Sequence, residues 1–254
     1  PSGFKPDAIT ACYGMAECSL AVCFAPLGRG IKVDCVDRQF LAEHDVALAG
    51  EYNSAESQKR LSFFVNCGEP LPGYEIEIRD ELDRVLPERH CGKLFVRGPS
   101  VMQGYFGDNG ITREVLSQDG WLNTGDLAYR VGETLVIAGR VKDMIIINGR
   151  NIWPQDLEFL ADRQPEIRNA CAVSVPGKHG TELAVLLIES RNNNPDVRDN
   201  LVKHLHGLVH KEIGIDCKIE WIPRNSIPRT TSGKLARSAM RTEYLNRIAA
   251  PAEG

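Results

Sequence analysis

Apolar and polar residues alternate in three short segments between positions 61 and 106: SFFVNCG (62–68), YEIEIRD (74–80) and GKLFVRG (92–98). Each is closed by Gly or Asp, and the pattern predicts a small antiparallel sheet. Gly68-Glu69-Pro70-Leu71-Pro72-Gly73 reads as a turn of restricted backbone between two of the strands. Upstream, residues 1–26 suggest a strand or loop leading into a short apolar helix over 15–24. Residues 27–62 look irregular, with an apolar island at 37–48 in their middle.

After Arg140 the pattern changes. Residues 142–148 read as a strand, and Pro154, followed by Asp156 and Glu158, opens a helix reaching about residue 163. A hairpin is expected across 169–175 and 181–189. An amphipathic helix over 196–211 and a strand over 218–222 come next. The polar loop 228–233 then leads into a last helix, 234–248. This order predicts a compact α+β unit of about 144–254 behind a first region, 1–139, with residues 140–143 between them. No internal repeat or low-complexity tract interrupts either part.

Composition narrows the function without naming it. With 43% hydrophobic residues the chain has ample material for a core. A net charge of −4 argues against a sequence-independent nucleic-acid binder. The apolar runs 144–147 and 184–188 are strand-length, so no membrane span is expected. Eight cysteines lie scattered without metal-site spacing, as in a cytoplasmic protein. Pro1-Ser2-Gly3-Phe4 carries neither an initiator Met nor a targeting pattern, so the chain reads as the back half of something longer.

Candidate chemistry is spread along the chain. Asp126 sits in what reads as a tight Thr124-Gly125-Asp126-Leu127 turn. Such an Asp commonly caps its turn, yet it can also accept hydrogen bonds from the two hydroxyls of a ribose. Arg140 is either its guanidinium neighbour in that role or a structural ion-pair partner. Tyr13-Gly14 would let a purine lie on the ring, and Glu17 is a hard oxygen donor suited to magnesium. In isolation the same five residues also suit a core Tyr and a helix-start Glu. Lys234, behind Thr230-Thr231-Ser232-Gly233, is a point charge at a helix start: solvated, or neutralising charge at an α-phosphate. Lys142 lies where a hinge or a plain linker is expected. His204, His206 and His210 share a helix but lack a third convergent ligand, so they read as a solvated face. The run 97–105 reads as a strand end and turn.

In order and rough spacing YGMAE (13–17), GPSVMQGY (98–105), GWLNTGDLAY (120–129), GRVKDMIIINGRNIWPQDLE (139–158) and PRTTSGKLAR (228–237) resemble the acyl-adenylate-forming enzymes. That superfamily includes acyl-CoA synthetases, peptide-synthetase adenylation domains and luciferase-like ligases. The run 147–158 and the long 27–62 connection are most similar to fatty acyl-AMP ligases, where an insertion restrains the domain swing that accepts coenzyme A. The resemblance implies the end of a large adenylation domain followed by a small α+β lid. It also implies that a fatty acid attacks Mg-ATP to give acyl-AMP and pyrophosphate, and that a carrier protein's phosphopantetheine thiol then takes the acyl group. Tyr13 and Gly14 would face the adenine, and Asp126 and Arg140 would hold the ribose. Glu17 would assist magnesium, Lys234 would bridge the reactants, and the lid would turn about Lys142. Two departures stand out. Cys18 and Ser19 replace Ala and Thr, and the family's phosphate loop and acyl pocket would lie upstream of this chain, which alone is expected not to adenylate. A coenzyme A ligase and a non-catalytic nucleotide-binding module are the competing expectations.

Overall fold

A computed structural model describes residues 3–54, 57, 59–177, 181–192, 194–231 and 233–249. The chain divides into two compact units, Pro1–Val141 and Lys142–Gly254. Both mix short helices with small sheets.

In the first unit β1 (Cys12–Tyr13), β2 (Cys23–Phe24), β3 (Val33–Asp37), β4 (Leu61–Val65) and β5 (Glu69–Pro70) form two small antiparallel sheets, ordered β1-β2-β5 and β3-β4. The helix α1 (Arg38–His44) follows β3 directly. A four-stranded sheet follows, ordered β6 (Glu75–Arg79), β7 (Gly92–Arg97), β8 (Leu122–Val131) and β9 (Thr134–Arg140). The helix α2 (Asn109–Val115) lies between β7 and β8 in the chain. Alternation along β6 to β9 sends Ile78, Leu94, Val96, Leu122, Ala128 and Leu135 to one face, where they close over Cys18, Val22 and Cys23.

In the second unit β10 (Ile145–Ile147) and β11 (Arg150–Ile152) form a tight hairpin, and α3 (Pro154–Asp162) follows. The main sheet pairs β12 (Ile167–Pro176) antiparallel with β13 (Glu182–Ser190). After α4 (Pro195–Glu212), β14 (Cys217–Ile222) returns parallel to β13, and α5 (Arg237–Ala249) ends the unit. Successive residues of β13 point to opposite cores. Leu186 joins Leu157, Leu160 and Leu205 of α3 and α4, whereas Leu187 joins Met240 and Tyr244 of α5. A strand covered on both faces must be apolar throughout, which is why residues 184–188 read as one unbroken run.

Four sequence expectations are corrected. Residues 15–24 form no helix: a 3-10 turn, Ala16–Cys18, is followed by β2, and the Val22 N–H donates to the Tyr13 carbonyl at 2.9 Å. Gly14 permits that tight return, since a Cβ there would stand 1.7 Å from the Leu20 carbonyl oxygen. Within 27–62, β3 and α1 are regular. A capping bond from the Phe40 N–H to Asp37 at 2.8 Å starts a helix too short to display a period. Residues 142–148 are not one strand, because the Asn148-Gly149 turn folds β10 back onto β11. Finally, α5 starts at Arg237, so Lys234 precedes the helix.

Among the described residues no helix is long and apolar enough to cross a membrane. All eight cysteines are free thiols.

Candidate functional site

Asp126 lies in a strand bulge and not in a turn. Across β7 and β8, Phe95 faces Asn123 and Lys93 faces Leu127, so Thr124, Gly125 and Asp126 together oppose the single residue Leu94. Thr124 fixes the bulge: its hydroxyl donates to the Leu94 carbonyl at 3.0 Å and accepts the Asp126 N–H at 3.1 Å. The Asp126 side chain is thereby held 6% exposed, directly across from Arg140 on β9. Arg140 Nε lies 2.7 Å from Asp126 Oδ1 and keeps 60% of its side chain in solvent.

Tyr13 Oη donates to Asp126 Oδ2 at 2.5 Å. Burial, and then the Asp126 charge, push the Tyr13 phenol far above its ordinary range, so it stays a donor at neutral pH. A carboxylate has about four lone-pair sites, and Arg140 and the Tyr13 hydroxyl each engage one oxygen of Asp126. Gly14 acts here through its backbone, pressed against Leu20.

Glu17 sits on the Ala16–Cys18 turn and is held by a segment that the sequence marked only as a strand end. The Met102 N–H donates to the Glu17 carbonyl, and Ser100 Oγ to the Cys18 carbonyl, both at 2.7 Å. Tyr105 Oη donates to Glu17 Oε1 at 2.8 Å, while its own N–H is fixed on Thr112 Oγ1 at 2.9 Å. The bond to Glu17 raises the Tyr105 phenol and keeps it protonated. Sequence reasoning missed Tyr105 because it stands 88 positions from Glu17. Among the described residues no three His, Cys, Asp or Glu side chains gather as a metal cluster. One carboxylate fits magnesium, which binds through one or two protein oxygens, substrate phosphates and water.

In the second unit Lys142 is exposed on the turn Val141–Asp143, inside which the division between the units falls. Lys234 is also exposed. Its backbone is fixed within a small loop: its N–H donates to Thr230 Oγ1 at 3.1 Å, and its carbonyl accepts the Thr230 N–H at 2.9 Å. Arg237, three residues on, is half-buried in a different arrangement. It donates to Glu158 Oε1 at 2.8 Å and Oε2 at 2.6 Å, and its third nitrogen reaches Asp143 Oδ2 at 3.3 Å. Burial alone would lower the guanidinium, but the Glu158 bonds outweigh it and keep Arg237 charged. His204, His206 and His210 are exposed on α4, as a solvated face requires.

Residues 3–106 match the AMP-binding enzyme family. A putative acyl-CoA synthetase of Caulobacter vibrioides is 40% identical over 96% of this chain and 42% of its own length. A medium-chain fatty acid–[acyl-carrier-protein] ligase, JamA of Moorena producens, is 30% identical over 96% of this chain and 43% of its own. A solved chain from a study of fatty acyl-adenylate ligases of E. coli and L. pneumophila superimposes with a TM-score of 0.86 and 39% identity. That superposition covers 98% of this chain and 44% of the solved one. The chain therefore spans less than half the length of the proteins it matches. By sequence and by fold it belongs to the AMP-binding enzyme family.

Proposed function

We propose that the protein carrying this chain is a fatty acyl-AMP ligase. In this reading a fatty carboxylate attacks the α-phosphate of Mg-ATP, acyl-AMP forms and pyrophosphate leaves. The observation that carries it is the bulge-held Asp126, buried and flanked by Arg140 and the Tyr13 hydroxyl. Asp126 accepts from the ribose hydroxyls, and Arg140 holds the carboxylate in place. Tyr13 offers its ring to the adenine. Glu17, steadied by Tyr105, contributes an oxygen to magnesium, which screens the phosphate charge. The ammonium of Lys234 neutralises charge as the carboxylate approaches the phosphate. Lys142 is the pivot between adenylation and transfer of the acyl group to a carrier protein's phosphopantetheine thiol. Magnesium dependence, the cytoplasmic setting and the carrier acceptor belong to this proposal.

The test uses the full-length protein with a fatty acid and ATP, following acyl-AMP by mass spectrometry. Lys234→Ala should lower acyl-AMP formation about 10²–10³-fold while AMP binding holds. An unchanged rate would refute the assignment of Lys234. A second reading, acyl-CoA synthesis, is favoured by the name of the Caulobacter relative. Offering coenzyme A and a phosphopantetheinylated carrier protein side by side separates the two by product.

A further inference from the structure

The turn that presents Lys234 closes on itself through backbone bonds. Arg229 and Leu235 form a bridge pair, the Gly233 N–H donates to the Thr230 carbonyl at 2.8 Å, and the Ala236 N–H donates to the Pro228 carbonyl at 3.0 Å. Neutral bonds of this kind, facing water, offset little more than the entropy lost in ordering an exposed loop. A turn closed only in this way would hold an ammonium loosely.

The side chain of Arg229 ties the turn to the sheet. Its Nη1 donates to the carbonyl of Gly233, the residue before Lys234, at 2.9 Å, and its Nη2 donates to Asn169 Oδ1 at 3.2 Å. Asn169 stands on β12, where it is the register partner of Glu189 on β13. Its Nδ2 donates to Glu189 Oε2 at 2.8 Å. A guanidinium can only donate and a carboxylate can only accept, so an amide between them has one workable orientation. Glu189 is 1% exposed, and its Oε1 accepts the Ile227 N–H at 3.1 Å. Burial alone would raise the Glu189 carboxyl, but the bonds from Asn169 and from the backbone of residues 225–227 outweigh it and keep the group ionised. A continuous relay thus runs from a buried anion in the sheet to the carbonyl beside Lys234, and its bonds at Glu189 and Arg229 are charge-assisted.

We propose that Arg229, held through Asn169 by Glu189, is a positioning residue for Lys234, an inference that rests on the role given to that lysine above. Arg229 acts on the peptide from which the ammonium extends, so that the charge is offered from one backbone position and not from many. Losing the fork should slow the chemical step and leave nucleotide affinity intact, because misplacing a reacting group costs rate. Every residue of the relay belongs to the second unit.

The test follows acyl-AMP formation by the full-length protein in single-turnover reactions over a range of ATP concentrations, which separates the maximal rate from half-saturating ATP. Arg229 is exposed, so Arg229→Met should fold while losing the fork. Its maximal rate should fall about tenfold or more, with half-saturating ATP and thermal melting unchanged. Asn169→Ala, which leaves the Arg229 charge in place, should show the same split. In a Lys234→Ala background, Arg229→Met should change the remaining rate less than about twofold, because a residue that acts through the lysine has nothing left to position. A raised ATP requirement in Arg229→Met, with Asn169→Ala unaffected, would make Arg229 a phosphate contact and overturn the proposal. Fully additive losses in the double variant would do the same. A wild-type rate in Lys234→Ala removes the assignment of the lysine and the relay with it, whereas a slowed Lys234→Ala beside an unaffected Arg229→Met overturns the relay alone.

Discussion

Each unit closes an arginine on a carboxylate, and the two pairs differ in what they leave open. Glu158 and Arg237 are 8% and 17% exposed, the contact is bidentate, and Asp143 takes the remaining nitrogen. The Ala172 N–H completes the shell on Glu158 at 3.0 Å. In Asp126–Arg140 the carboxylate is equally buried, but the arginine keeps 60% of its side chain in water and meets Asp126 through Nε. A surrounded guanidinium braces the fold, joining α5 to α3 and to the turn that opens the second unit. A guanidinium left mostly in solvent braces less, because an ion pair weakens as its partners are exposed to water and salt. That leaves Arg140 open to a ligand, as the proposed ribose site requires.

The contrast can be broken by mutation. Arg237→Ala should have the largest effect, about 3–5 kcal/mol in urea unfolding, because it strands a buried Glu158 charge. A loss below about 1 kcal/mol would make that pair no more of a brace than a surface bridge. Asp126→Ala should act on binding: removing a charged acceptor is worth about 1.5–3 kcal/mol, or roughly 10–100-fold in AMP affinity. Calorimetry finding the same affinity as wild type would return Asp126 to a structural role. Tyr105→Phe should be the mildest, about 0.5–1.5 kcal/mol. It should appear as a raised Mn²⁺ requirement for nucleotide binding, read by proton relaxation, with AMP affinity kept. An unaltered metal requirement would leave Tyr105 a loop anchor.

Much of this was legible in the residues. The alternating segments 74–80 and 92–98 became β6 and β7, and the predicted hairpin, helix and strand of the second unit are β12–β13, α4 and β14. What misled was local backbone geometry. Residues 15–24 are apolar enough for a helix, but Gly14 and the left-handed Ser19 (φ 65°) bend them into a turn and return strand. Thr124-Gly125-Asp126 looks like a turn because it contains turn residues, and the same residues are what a bulge needs. Side-chain meetings between distant positions could not be read at all: Tyr13 with Asp126, Tyr105 with Glu17, Arg237 with Glu158. The 234–248 helix was expected to carry Lys234 at its start, but the bridge pairing of Arg229 with Leu235 keeps that lysine in the loop.

The central claim is that Asp126 grips the two hydroxyls of a ribose. The most direct measurement is calorimetric titration of the full chain with AMP and with 2′,3′-dideoxy-AMP, in wild type and in Asp126→Ala. We expect AMP to bind wild type about tenfold or more tightly than the dideoxy form, and the variant to bind both alike. Equal binding of the two nucleotides by wild type, a difference that survives in Asp126→Ala, or no binding of AMP at all would contradict it.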